Sequence, residues 1–224
     1  MASFNVHIRK LLIYTEPPFN GNGEELRKAV TGKWKNRTPL HGHDSEGRPI
    51  YWFPPVRYLP GNIPRLVALD KGMDELENIY SSLGEELIVG SKAFIITATE
   101  MLDFTVRLGV SDELHTYYSI SPWVALNQRR YEEYQRIGSR IERMKLLEKI
   151  FIGNLLVLAK GVGYTVEDKL FAKIHSSKEI PWKFKGMNVL GFIVELTTNF
   201  QIPVELGLGK HTSLGFGRFS ERTP

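Results

Sequence analysis

No cysteine occurs among the 224 residues. That excludes disulfides, thiolate catalysis and cysteine-held metal or iron–sulfur sites, and it suits a reducing compartment. Long apolar runs are missing as well. The longest, Ile150 to Ala159, is broken by Gly153 and Asn154 and falls far short of the ~20 residues of a membrane-spanning helix. The opening stretch, MASFNVHIRK, has no apolar core of the kind a secretory signal carries. These absences lead us to expect a cytoplasmic protein with no membrane partner. Two nucleotide signatures are also absent: no G-x-x-x-x-G-K-[ST] run is present, and no glycine fingerprint opens a βαβ unit. The paired aromatic signature of RNA-recognition strands stands on no strand either.

What is there is globular. Hydrophobic residues make up 42% and charged residues 24%, so a packed core is expected rather than a disordered chain. The alternation in FNVHIRKLLIYTE reads as a strand. EELRKAVTGKWK reads as a short helix, with Glu24 and Glu25 suiting its positive end. Leu26, Val30 and Trp34 fall on one face of that helix, which turns Arg27, Lys28, Lys35 and Lys33 toward solvent. IYWFPPVRYLP and RLVALDK follow as strands, the first interrupted by Pro54 and Pro55. MDELENIYSSL is a helix, and EELIVGSKAFIITATEM gives one or two strands. The order β-α-β-β-α-β is the ferredoxin-like unit.

A second, distorted unit follows. LDFTVRL and HTYYSISPWVAL are strand-like, and helix runs from Gln128 to Lys160 with a break near Gly138. DKLFAKIHS and MNVLGFIVELTTN are strands, and a short last strand stands at GRF. The expected fold is therefore α+β, with tandem ferredoxin-like (RRM-like) domains over residues 1–110 and 111–224. The first carries a histidine loop, the second a glycine-rich loop.

The formal net charge is only +4, so its distribution matters more than its sum. Residues 27–37 hold Arg27, Lys28, Lys33, Lys35 and Arg37 with no acid. Residues 129–149 hold seven basic and four acidic residues. Two basic zones point to a polyanion, with nucleic acid first. Near the C-terminus stands GLGKHTSLGFGRF, which crowds Gly207, Gly209, Gly215 and Gly217 around Lys210, His211, Thr212 and Ser213, with Arg218 behind. Such a loop either cradles phosphate with backbone N–H groups and these side chains, or is a tight bend between elements.

PLHGHD places His41 and His43 two residues apart, on one side of an extended segment. One neutral and one protonated imidazole would suit general acid–base chemistry, with Lys33, Lys35 and Arg37 to stabilise a charged phosphorus centre. A metal site using Asp44 and a pair of solvated loop histidines remain the alternatives. His7 reads as structural, and His115 and His175 as surface residues.

Together these stretches resemble the CRISPR repeat-processing endoribonucleases of the RAMP superfamily. That family has tandem ferredoxin-like folds and a C-terminal glycine-rich loop closing on G-φ-G-[RK]-F, as GLGKHTSLGFGRF does here. Its catalytic histidines lie in or just after the first helix, where His41 and His43 stand, and the H-G-H pair resembles the branch that uses two. The resemblance implies cleavage of repeat RNA without metal or other cofactor. The ribose 2′-OH attacks the adjacent phosphate, leaving a 2′,3′-cyclic phosphate and a 5′-OH. It implies a supporting tyrosine and lysine, for which Tyr51 and Lys33 or Lys35 are the candidates by position. The basic residues Arg27, Lys28, Lys35 and Arg37, and in the loop Gly207, Gly209, Lys210, His211, Thr212, Ser213, Gly215, Gly217 and Arg218, are the expected RNA contacts. Expected partners are the repeat RNA, a second copy of the chain, and other CRISPR effector subunits. Relatives that bind RNA without cutting it supply the competing expectation, and a metal-dependent phosphohydrolase the third.

Overall fold

A computed structural model of the chain describes residues 4–32, 54–184 and 187–222. It divides into two compact units, one of Val6–Val106 with Ser213–Gly215, the other of Met1–Asn5, Arg107–Thr212 and Phe216–Pro224. Among the described residues no helix is long and apolar enough to cross a membrane.

The N-terminal unit begins with β1 (Phe4–Glu16), whose alternation puts Leu11 and Ile13 into the core. Helix α1 (Gly23–Thr31) starts where Asn22 accepts the N–H groups of Glu24 and Glu25 and the Glu25 carboxylate accepts that of Asn22, a reciprocal cap. Leu26 and Val30 are buried. The short strands β2 (Val56–Leu59) and β3 (Arg65–Ala68) pair antiparallel, and β3 pairs antiparallel with β1. Helix α2 (Lys71–Ser82) packs on this pair. Then β4 (Glu86–Val89) turns through Gly90 and Ser91 into β5 (Lys92–Ser119), with Val89 opposite Lys92. The strand order is β2-β3-β1-β5, with β4 hung on β5. This is the ferredoxin-like arrangement, with a hairpin where a single last strand usually stands. Leu26, Val30, Leu76 and Ile79 of the two helices join Leu11, Ile13, Leu66 and Phe94 in one apolar cluster.

The C-terminal unit uses the far half of β5, then α3 (Gln128–Arg136), α4 (Arg140–Gly161), β6 (Ala172–Phe184), β7 (Met187–Gln201) and β8 (Phe219–Glu221). β8 and β7 flank β5 and β6 lies beyond β7, which is again the ferredoxin-like order. In place of a second helix stands the glycine-rich loop, with only a 3₁₀ turn at Thr212–Leu214. Trp123, fully buried, anchors α4 to the sheet. Its indole donates to Asn154 Oδ1 at 3.0 Å and Phe151 meets it edge-on. Asn154, which interrupts the longest apolar run of the sequence, is there as that acceptor. In helix α3 the buried residue is Tyr134, which donates to Glu179 Oε1 at 2.7 Å.

Several boundaries differ from the sequence reading. LDFTVRL and HTYYSIS are one continuous strand, because Gly109 (φ +132°) and an irregularity between Val110 and His115 re-aim β5 without ending its pairing to β7. β6 runs on to Phe184 through Pro181, which an edge strand tolerates. The last strand begins at Phe219, two residues later than GRF suggests.

Candidate nucleic-acid interface

The two limbs of the glycine-rich loop lie backbone to backbone in the C-terminal unit. Leu208 N–H donates to Gly217 O at 2.8 Å, Lys210 N–H to Val124 O at 3.0 Å and Gly217 N–H to Pro122 O at 2.9 Å. Arg218 N–H donates to Ser121 Oγ at 2.9 Å. Each glycine there is forced by contact. A Cβ on Gly207 would lie 2.4 Å from Phe216 O, on Gly209 2.6 Å from Val124 O, and on Gly217 1.9 Å from Leu208 O. Gly209 and Gly217 also have positive φ, at +87° and +68°. Ser213–Gly215 belong to the N-terminal unit. There a Cβ on Gly23, the first residue of α1, would lie 2.1 Å from Leu214 O, and one on Gly215 (φ +87°) would lie 2.8 Å from Pro60 Cδ.

Both limbs of the loop in the C-terminal unit are therefore tied by backbone N–H donation to each other and to residues 121–124. The N–H groups of Leu208, Lys210, Gly217 and Arg218 are donated within the protein. Lys210 is exposed. Arg218 is half-buried, with Nε donating to Val204 O at 3.3 Å. Thr212 is buried and Ser213 half-buried. His211 has φ +58° and packs edge-on against Phe216.

Of the basic residues on α1, Lys28 is exposed and its ammonium lies 3.0 Å from Glu24. Arg27 is half-buried. Burial pushes the Tyr58 phenol up and the Arg27 charge opposes that rise, which places Arg27 toward β2. The α1 N-terminus is satisfied by its own cap and by Glu24 and Glu25, so phosphate binding on this helix would use the Arg27 and Lys28 side chains. Lys33, Lys35, Arg37, His41, His43 and Tyr51 lie outside the described residues.

Three features escaped the sequence reading. Arg57 on β2 is fully buried, and burial pushes its guanidinium down to about 9. His115 is no plain surface residue: its side chain is 11% exposed and Nδ1–H donates to Glu221 Oε1 at 2.7 Å. Tyr118 and Ile120 stand exposed on the face of the C-terminal sheet opposite α4. The period of two in HTYYSIS signals that Tyr117 and Tyr118 face opposite ways, though not which of them faces the core. His7, expected to be structural, is exposed, since Val6 and Ile8 take the buried side of β1 there. His175 is exposed and bonds Thr197 Oγ1 at 2.7 Å.

Two ferredoxin-like units in tandem, with a glycine-rich loop before the last strand, define the class by fold: a tandem ferredoxin-like protein. Residues 5–107 match the Cas6b N-terminal domain and residues 109–222 the Cas6b C-terminal domain. The chain belongs to the Cas6b family of CRISPR repeat-processing proteins. A crystal structure of Cas6b is similar at a TM-score of 0.88 and 29% identity, covering 98% of this chain and 100% of that one. A second, of the CRISPR RNA processing endoribonuclease Cas6b, gives 0.75 and 27% over 98% of this chain and 100% of that one. An uncharacterized protein of Methanocaldococcus jannaschii is 42% identical over 111 residues, which are 50% of this chain and 75% of its own.

Proposed function

We propose that the protein is a metal-independent endoribonuclease that cuts CRISPR precursor RNA within its repeats. The observation that carries the reading is the match of both domains to Cas6b, together with likeness over the whole chain to a structure described as a CRISPR RNA processing endoribonuclease. In this reading His41 and His43 divide the work. One takes the proton of the ribose 2′-OH as that oxygen attacks the adjacent phosphorus. The other gives a proton to the departing 5′-oxygen, leaving a 2′,3′-cyclic phosphate and a 5′-OH. Lys33 and Tyr51 support the charged phosphorus centre. Arg27, Lys28, Lys35, Arg37, Lys210 and Arg218 hold the RNA backbone. Lys210, His211, Thr212 and Ser213 of the loop add to that grip, its glycines setting the shape rather than the charge. The protein acts in the cytoplasm on precursor RNA, with a second copy or other effector subunits as its protein partners.

The test is incubation with repeat RNA in EDTA, followed by analysis of the product ends. Cleavage to a cyclic phosphate and a 5′-OH is expected, and repeat RNA with a 2′-deoxy sugar at the cut should bind and stay intact. Loss of activity on chelation, or cleavage of the deoxy substrate, would assign the reaction to a metal-activated water. Binding without cleavage would make the chain an RNA-holding subunit.

A further inference from the structure

The sheet of the C-terminal unit has one face under α4 and one face turned away from it. Tyr117 and Phe219 are fully buried on the α4 side, where Phe151 meets Phe219 edge-on. Tyr118 and Ile120, alternating with them, point to the other side and are 45% and 41% exposed. Their surroundings are specific. Tyr118 lies opposite Ser220 of β8 on one flank and Glu195 of β7 on the other. Arg222 donates to Glu195 Oε1 at 2.9 Å, which brings a guanidinium to the same neighbourhood. Ile120 N–H donates to Arg218 O at 2.9 Å, so Arg218 stands across from Ile120. Arg218 itself precedes β8, and its Nε donates to Val204 O at 3.3 Å.

We propose that Tyr118, backed by Ile120, is a stacking platform for an unpaired nucleotide of the bound RNA, next to the end of the glycine-rich loop. The inference rests on the RNA-processing reading above and adds a base-contacting site to it. Every base has a π-face, and an exposed tyrosine on a sheet receives one at little ordering cost, since its ring is already fixed by the strand. The neighbours fit a nucleotide better than a protein. Two adjacent apolar side chains give a base-sized patch, too small for a protein interface core, and it is bordered by Arg218, Arg222, Ser220 and Glu195. The exposed Arg222 guanidinium suits a phosphate on one side. The Ser220 hydroxyl and the Glu195–Arg222 pair offer donors and acceptors to a base edge. Because Arg218 is the last residue of the loop read above as the backbone grip, a strand held there has its bases within reach of Tyr118.

The experiment uses repeat RNA made uncleavable by a 2′-deoxy sugar at the cut site, with 2-aminopurine placed at one position at a time. With the parent protein, binding should quench the fluorescence at one position or two adjacent ones. Tyr118→Ala should abolish that quench and weaken affinity about tenfold, the loss of one stacked base. Tyr118→Phe should keep both, since the π-face remains, and Ile120→Ala should weaken binding less than Tyr118→Ala. The proposal is overturned if Tyr118→Ala binds like the parent, or if Tyr118→Phe loses as much as Tyr118→Ala. It is also overturned if no position responds although the parent binds and cuts repeat RNA, in which case RNA processing stands and the platform alone falls. A parent that binds no repeat RNA overturns both. Should Tyr118→Ala change the sedimentation of RNA-free protein while its RNA affinity is unchanged, the face belongs to a protein contact and the platform is wrong.

Discussion

Replacing Gly217 with alanine adds a single methyl group, and its consequences follow from the loop's geometry. The residue sits at φ +68°, where a side chain costs about 1–2 kcal/mol. The new Cβ would stand 1.9 Å from Leu208 O, 3.0 Å from its carbonyl carbon and 3.1 Å from its nitrogen. All three are backbone atoms, so no side-chain rotation relieves the clash and one limb must move by more than an ångström. That movement strains two hydrogen bonds, Leu208 N–H to Gly217 O at 2.8 Å and Gly217 N–H to Pro122 O at 2.9 Å. Losing both adds about 1–3 kcal/mol, for a total of about 2–5 kcal/mol. For a chain of this length the melting temperature should fall by about 10 °C. The assay is thermal unfolding by circular dichroism, run beside Lys210→Ala, whose side chain is exposed and should leave stability within about 0.5 kcal/mol. RNA binding is measured on both variants. If Gly217→Ala melted with the parent, Leu208 O could not lie over Gly217, and the account of the loop as self-bonded would be refuted.

Lys210→Ala should instead act on RNA: with about four phosphates engaged, the parent's log affinity should fall against log salt with a slope of roughly −3, and removing Lys210 should make it shallower by about 0.7. An unchanged slope would remove Lys210 from the interface. Lys28→Ala should weaken binding to all RNA sequences alike, whereas Glu24→Gln, which releases Lys28 from its ion pair, should strengthen it; filter binding at fixed salt decides both. Single His41→Ala and His43→Ala variants should each lose about 10²–10⁴ in cleavage rate, and the double variant less than the product of the two, since the rings act as a unit. The Arg9 guanidinium, bonded to Asp103 at 2.7 and 2.8 Å, holds that carboxyl below its usual range. A depressed folded-state pKa means the pair's contribution is whole above the ordinary aspartate pKa and fades as pH falls toward the depressed value. Asp103→Asn should therefore lower the urea midpoint at pH 7 and leave it closer to the parent's at pH 3, and equal differences at both pH values would remove the pair from the acid response.

Much of the fold was legible because it is written in short-range periodicity. The alternation of residues 4–16 marks β1, and the spacing of Leu26 and Val30 behind Glu24 and Glu25 marks α1. The break at Gly138 separates α3 from α4. The two basic zones and the cluster of glycines were equally visible, and so was the family they resemble. Less visible was β5, since Gly109 and the irregular residues after it look like a boundary until β7 is seen to pair on both sides. The far end of β6 was hidden by Pro181, whose tolerance depends on the strand being at an edge.

The sequence by itself determined which elements form, where the helices begin and which residues carry charge, because those depend on neighbours a few positions away along the chain. The tertiary structure alone decided what each element meets. Four glycines in a loop are ambiguous until Phe216 O, Val124 O, Leu208 O and Pro60 Cδ are found where their side chains would be. Tyr117 and Tyr118 are equivalent in composition, and only the packing of α4 on one face of the sheet buries the first completely and leaves the second 45% exposed. The reason is physical: periodicity sets the relative orientation of side chains, but which orientation is inside depends on a helix that begins more than twenty residues further along the chain.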